Sequence, residues 1–335
     1  MSDRPAIVVY GAGSVGCYLG GRLHDQIAVR LIGRARMAHV LRERGLTLSD
    51  LQGFHRVISG TSLDIQTEPQ AAVASLVLVT VKSADTAQAG RELADVLPPD
   101  ALVISFQNGL RNAEILRNTL PGRTVLAGMV PFNVLQQSPG VFHQGSSGEL
   151  MVEEHPALAR FLPVFEAAGL PLQQRQDMPA VQRAKLLFNL NNAINALSNV
   201  PLRQQLAERG WRRCLALAQR EALSVFAAAG LPLARLTPLP ASWLPRVLEL
   251  PDALFTRIAP RMLAIDPLAR SSTWEDLQAG RRTEVDALHG EIVELATRLG
   301  RRAPVNERII ALIREAETSP VKWTSERLLA SLQQA

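Results

Sequence analysis

One stretch near the start, Ile7–Leu23 (IVVYGAGSVGCYLGGRL), limits what this chain can fold into more than any other. A four-residue apolar run leads into Gly11-x-Gly13-x-x-Gly16, and a helical pattern follows. Glycines at that spacing permit a tight turn, close approach of backbone to a ligand's phosphates, and close packing of helix on strand. The helix start adds N–H groups and the positive end of its dipole. Gly11, Ala12, Gly13, Ser14, Val15 and Gly16 are therefore expected to cradle the pyrophosphate of a dinucleotide.

Such a turn belongs to a chain that alternates strands and helices, which implies a parallel, doubly wound α/β sheet. The next strand, IAVRLIGR, ends at Gly33 without the carboxylate that would grip ribose hydroxyls. Arg34 and Arg36 follow and suit a 2′-phosphate, so NADP(H) is expected over NAD. The strands within ASLVLVTVK (74–82) and PDALVISFQNGL (99–110) end in Lys82 and in Asn108-Gly109. Ligands of doubly wound sheets sit at those carboxyl ends. GLTLSD and HRVIS read as added strands or a hairpin.

From about residue 180 the pattern becomes helical, over 180–199, 203–229, 242–263, 273–299, 304–317 and 321–333. Two domains are expected, 1–175 for the nucleotide and 180–335 for substrate and catalysis, joined at 173–180. Within RAKLLFNLNNAINALSN (183–199), read as one helix, the leucines share one face. Lys185, Asn189, Asn192 and Asn199 share the other. Amides both donate and accept, which suits a substrate bearing hydroxyl and carbonyl groups.

Only Lys82, Lys185 and Lys322 are lysines among 36 basic residues. In a chain that uses arginine almost everywhere, Lys82 and Lys185 stand where a tunable proton or a compact charge would matter, whereas Lys322, in a polar C-terminal segment, is read as chance. Further on, Ser272 and Glu275 have the spacing of a capping box. Asp276, Gly280 and Glu284 fall at i, i+4, i+8 on one face of the expected 273–299 helix, with Gly280 marking a close approach.

Composition narrows the classes. Hydrophobic residues make up 47% and charged residues 20% of 335, ordinary for a globular protein. No apolar run is long enough to span a bilayer. The start enters a strand without a signal pattern, so a cytoplasmic location is expected. The net charge of +5 is scattered, with no basic tail or stripe, which argues against a nucleic-acid partner. Two cysteines lack CxxC spacing, and six dispersed histidines lack metal-ligand spacing, so no metal is expected.

Taken in order, GAGSVG (11–16), VK (81–82), QNG (107–109), KLLFN (185–189), and the serine pair with TEVD (271–286) resemble the ketopantoate reductase (2-dehydropantoate 2-reductase) family. The resemblance covers nearly the whole chain. It implies a Rossmann-type domain followed by an all-α domain of the 6-phosphogluconate dehydrogenase C-terminal type. It implies NADPH-dependent reduction of 2-dehydropantoate to (R)-pantoate in pantothenate biosynthesis. Lys185 would donate the proton to the keto oxygen, with Glu284 near that lysine and the cofactor ribose or substrate. Asn108 would touch cofactor and substrate, Lys82 would hold the nicotinamide end, and Arg34 would grip the 2′-phosphate. Asn189 and Ser272 would bind substrate. One position departs from the pattern: Ala193 stands where the family has a second asparagine. Asn192 is expected to take its role, with Asn195 the other candidate. Another 2-keto acid or an imine as substrate, or a non-catalytic NADPH-binding regulator, are the competing readings. The helical half leaves room for a homodimer.

Overall fold

The computed structural model describes residues 7–70, 74–259, 263, 266–319 and 321–335. The chain divides into two compact units, Met1–Met178 and Pro179–Ala335.

The first unit runs β1 (Ile7–Tyr10), α1 (Ser14–Leu23), β2 (Val29–Ile32), α2 (Ala35–Arg44), β3 (Leu46–Asp50), β4 (His55–Ile58), β5 (Asp64–Gln66), β6 (Leu76–Val79), α3 (Thr86–Ala94), β7 (Leu102–Ser105) and α4 (Asn112–Thr119). It continues through β8 (Thr124–Met129), β9 (Val134–Ser138), β10 (Val141–Gln144), β11 (Leu150–Glu153), α5 (Leu162–Ala167) and β12 (Leu172–Arg175). Among the described residues one sheet has the order β12-β11-β8-β7-β6-β1-β2-β5. Its strands from β8 to β5 are parallel, but β11 runs antiparallel to β8. The expected all-parallel sheet is thus mixed at one edge. A second sheet, β4-β3-β10-β9, contains the antiparallel β3–β4 hairpin.

Side-chain alternation makes the first sheet two-sided. Ile7, Val9, Leu76, Leu78, Leu102 and Ile104 join the core formed with α1 and the second sheet. Val8, Tyr10, Val77, Val79 and Val103 join the core formed with α3 and α4. Residues i and i+2 of a strand share a face, so each four-residue strand supplies both layers. Strands buried on both faces read as continuous apolar runs, and LVLV and LVIS do so.

The second unit consists of α6 (Met178–Asn189), α7 (Asn191–Ser198), α8 (Leu202–Ala207), α9 (Arg209–Ala228), α10 (Leu244–Leu248), α11 (Asp252–Ile258), α12 (Ser272–Gln278), a π-helical turn (Asp286–Gly290), α13 (Glu291–Arg298), α14 (Pro304–Thr318) and α15 (Ser325–Gln333). Several expected long helices are therefore broken. The 180–199 helix is interrupted at Leu190 and the 203–229 helix at Glu208. The 242–263 helix splits into α10 and α11, and residues 260–262 lie outside the described residues. The final helix starts at Ser325, where the Thr324 hydroxyl accepts the Arg327 N–H at 3.3 Å.

Arg212 on α9 shows how such breaks are tolerated. Its guanidinium is fully buried. It donates to the carbonyls of Leu206, Ala207, Leu248 and Leu250 at 2.7–3.0 Å, and to Asp252 at 2.9 Å. These carbonyls lie at the ends of α8 and α10, where helices leave C=O groups without in-helix donors.

The expected helix over 273–299 is also broken, and Gly280 explains where. It is not mid-helix but has φ +59 just past α12. The Arg281 N–H bonds to the Asp276 carbonyl at 2.8 Å and the Gly280 N–H to that of Leu277 at 3.1 Å. This is a Schellman ending, for which glycine suits the left-handed residue. Asp276 and Glu284 therefore do not share one helix face.

Candidate active site

In the first unit the glycine turn is built as the spacing requires. The Gly11 and Ala12 N–H groups both donate to the Ile32 carbonyl, at 2.9 and 2.8 Å. Gly11 has φ +119, and a Cβ there would lie 2.7 Å from the Val81 nitrogen. A Cβ on Gly16 would lie 2.0 Å from the Gly11 oxygen. Gly13 differs, because a Cβ there meets nothing within 4 Å. Two of the glycines are thus demanded by the protein itself, and the third faces open space at the start of α1. No side chain caps α1, so its first N–H groups, from Ser14, Val15 and Gly16, lack that competitor for an anion. This cradle fits the pyrophosphate of a dinucleotide, which when bound would supply the hydride.

Lys82 immediately precedes a 3-10 turn, Ser83–Asp85, and is half-buried. Asn108 lies in the loop after β7. A directional chain of hydrogen bonds ties the two loops together. Gln107 Nε2 donates to Thr86 Oγ1 at 2.7 Å, and Thr86 Oγ1 to Asn112 Oδ1 at 2.8 Å. Asn112 Nδ2 donates to Ser83 Oγ at 3.0 Å, and Ser83 Oγ to the Asn108 carbonyl at 3.0 Å. Buried amides and hydroxyls satisfied in this way rigidify the loops that carry Lys82 and Asn108. Thr86 and Ser83 carry no sequence signal of their own, because their partners in this chain of bonds are 21–29 residues away.

The loop after β2 is tightly built. Gly33 carries no acid because none fits: a Cβ there would lie 2.5 Å from the Ala12 Cβ. Yet a carboxylate is present. Arg34, exposed at the start of α2, donates through Nη2 to Asp85 Oδ2 at 2.9 Å.

In the second unit Lys185 and Asn189 lie on α6, and burial pushes the Lys185 ammonium down to about 8. A cationic group loses solvation there, which favours its neutral form. The interruption at Leu190 separates these two residues from Asn192 on α7. Gln219 of α9 donates to the Leu187 carbonyl at 3.1 Å near this interruption.

The asparagines divide by role. Asn191 exchanges two hydrogen bonds with Gln205, at 3.1 and 2.9 Å. Asn195 is fully buried; it donates to the Val200 carbonyl and accepts the Ser271 N–H, both at 2.9 Å. Asn199 is left-handed at the end of α7, and its Oδ1 accepts the Trp274 indole N–H at 2.7 Å. These three fasten helices together. Asn199 is thus removed from the polar face expected of one continuous helix, and Asn195 is buried and bonded within the protein. Asn192 is half-buried, and its Nδ2 lies 3.4 Å from Ser272 Oγ. The structure therefore brings Asn192 and Ser272 together.

Ser272 is not the helix cap. Ser271 is: its hydroxyl accepts the Trp274 N–H at 3.2 Å and donates to the Asn192 carbonyl at 2.9 Å. This correction leaves the Ser272 hydroxyl exposed beside Asn192. Glu284 is half-buried in the segment before the π turn. Its neighbour Thr283 anchors that segment through N–H and hydroxyl bonds to Glu317 of α14, at 2.8 and 2.7 Å. The π turn is held by His289, fully buried, whose Nδ1 lies 2.7 Å from Asn306 Oδ1.

Comparison with known proteins covers both units. The model of the family "Ketopantoate reductase PanE/ApbA" matches residues 7–157, and that of its C-terminal domain matches residues 177–317. The chain belongs to the ketopantoate reductase family. A 2-dehydropantoate 2-reductase of Halobacterium salinarum is 32% identical over 93% of this chain and 98% of its own length. One from Pyrococcus horikoshii is 26% identical over 93% and 97%. Among solved structures, a PanE/ApbA family ketopantoate reductase from Ralstonia eutropha JMP134 superposes with a TM-score of 0.78 at 31% identity, covering 94% of this chain and 99% of that one. D-mandelate dehydrogenase with NADH and anilino(oxo)acetate shares the fold, with a TM-score of 0.77 at 18% identity over 94% and 99%. This ketopantoate reductase family chain is thus an oxidoreductase with a Rossmann-type domain and a helical second domain. Among its described residues no helix is long and apolar enough to cross a membrane.

Proposed function

We propose that the chain reduces 2-dehydropantoate to (R)-pantoate with NADPH, as a step of pantothenate biosynthesis. The observation that carries this reading is Lys185. A lysine retained in an arginine-rich chain sits where burial brings its ammonium to about 8, the range in which a general acid works at neutral pH. In this reading Lys185 protonates the keto oxygen as hydride reaches C2. Glu284 lies near the lysine and the ribose or substrate. Asn189, Asn192, Ser272 and Asn108 hold substrate oxygens, Lys82 supports the nicotinamide end, and Arg34 takes the 2′-phosphate. Domains of 1–175 and 180–335 divide cofactor binding from substrate binding. A homodimer agrees with the dimeric ketopantoate reductase of Staphylococcus aureus, which shares the fold at 16% identity.

A different 2-keto acid is the second reading. Ala193 is buried and Asn195 is buried and bonded to Val200 and Ser271, which leaves Asn192 as the amide of α7 in place of the family asparagine. The test is NADPH oxidation at 340 nm with 2-dehydropantoate beside pyruvate, 2-ketoisovalerate and oxaloacetate, with NADH as control. Fast turnover of 2-dehydropantoate supports the first reading. Turnover of another acid alone keeps the chemistry and reassigns the substrate. Tight NADPH binding without turnover of any of them turns the reading toward a binding protein.

A further inference from the structure

The Arg34–Asp85 ion pair joins residues 51 apart in sequence. Arg34 follows β2 and Asp85 follows β6, and in the sheet β1 lies between those strands. The pair therefore reaches across the carboxyl end of β1, where the glycine turn begins. A dinucleotide seated on that turn must place its adenosine ribose toward the end of β2, which brings the 2′ position to this pair. Tyr10 ends β1 beneath it. Its hydroxyl donates to Glu92, and its phenol is pushed upward by burial, by Glu92 and by Asp85. This side of the site thus carries negative as well as positive charge.

The pair is open to exchange. The Arg34 side chain is 83% exposed and that of Asp85 40%, and exposed ion pairs contribute little and part readily. A 2′-phosphate offers Arg34 a stronger, bidentate partner. It must do so while facing the Asp85 carboxylate, a like charge. A 2′-hydroxyl meets the opposite situation, because it can donate to Asp85 while Arg34 stays paired.

We propose that Asp85 sets the discrimination between NADPH and NADH. It competes with the 2′-phosphate for Arg34 and accepts from the 2′-hydroxyl, so that the preference for NADPH is narrower than Arg34 alone would give. This inference rests on the nucleotide site of the proposed function. It adds to that site an acid that Gly33, at the end of β2, has no room to hold.

Equilibrium titration of each nucleotide by calorimetry, on the full chain without substrate, tests it. In Asp85→Asn, NADPH should bind about tenfold tighter and NADH several-fold weaker, the effect of removing one like charge at close range. Arg34→Gln should weaken NADPH and leave NADH nearly unchanged. If both nucleotides bind the parent and the ratio of their affinities in Asp85→Asn stays within about twofold of the parent's, the proposal is overturned while the nucleotide site stands. If neither nucleotide binds the parent, the nucleotide site itself falls, and the role of Asp85 falls with it. Thermal melting of Asp85→Asn, expected to match the parent because the pair is exposed, separates a lost fold from a lost preference.

Discussion

Asn195 Oδ1 receives the backbone N–H of Ser271 at 2.9 Å, and this bond joins the helix after the Leu190 interruption to the start of α12. Both groups are buried. The amide that composition would assign to a ligand is a fastener between two helices, and it places Ser272 beside Asn192. Asn195→Ala should remove this bond and that to Val200, leaving buried partners unsatisfied at a cost of about 2–4 kcal/mol. Urea denaturation would measure it. Asn192→Ala, at a half-buried position, should cost under about 1 kcal/mol and raise KM for the keto acid instead.

Gly13 and Gly16 should respond oppositely to the same substitution. Gly16→Ala puts a methyl 2.0 Å from the Gly11 oxygen, so the turn must open and the melting temperature should fall. Gly13→Ala meets nothing within 4 Å, so the protein should melt like the parent. Its dinucleotide affinity should nonetheless drop by about tenfold or more, since the methyl occupies the space a pyrophosphate approaches. Equal NADPH affinity in Gly13→Ala and the parent would place the pyrophosphate elsewhere.

Lys185 gives two pH signatures of opposite sense. Its ammonium titrates near 8 in the folded chain and near 10.4 unfolded. Between those values the unfolded chain holds more protons, so this group makes folding stability rise with pH. Reduction with Lys185 as the proposed acid should instead fall as pH rises through about 8. Lys185→Arg keeps the charge without a usable proton, so the single-turnover rate should drop by about 10²-fold or more and lose that pH dependence. A rate near the parent's would exclude Lys185 as the acid.

His289 predicts acid sensitivity. Burial lowers its imidazole to about 4, against about 6.5 unfolded. Between those values the unfolded chain binds the extra proton, so stability contributed by this residue is present above pH 6.5 and is lost on acidification toward 4. The loss amounts to about 3 kcal/mol. Denaturant midpoints taken from pH 7 down to pH 4.5 should show it, and His289→Asn, which cannot titrate, should flatten that slope.

Legibility tracked the distance over which an interaction acts. The glycine turn, the two-sided strands and the leucine face of α6 depend on neighbours in sequence and were readable from spacing. The roles of Asn191, Asn195 and Asp85 were not, because their partners Gln205, Ser271 and Arg34 come from other elements. Ser271 and Ser272 are adjacent, and only the entry geometry of α12 decides which one caps. Gly280 looks mid-helix in sequence because its left-handed backbone leaves no mark in residue spacing. The helix interruptions were invisible because Arg212 and Gln219 satisfy carbonyls that a sequence pattern assigns to the helix itself.

The interruption at Leu190 divides into two segments what periodicity presents as one helix, although Leu190 keeps a helical backbone and its N–H still reaches the Leu186 carbonyl at 3.0 Å. α6 brings Lys185 and Asn189, and α7 brings Asn192 and the position of Ala193, each fastened to different neighbours. In the proposed reaction, a change in α7 should alter which acid is accepted while Lys185 keeps its place on α6. A chain built this way can inherit its chemistry and revise its diet.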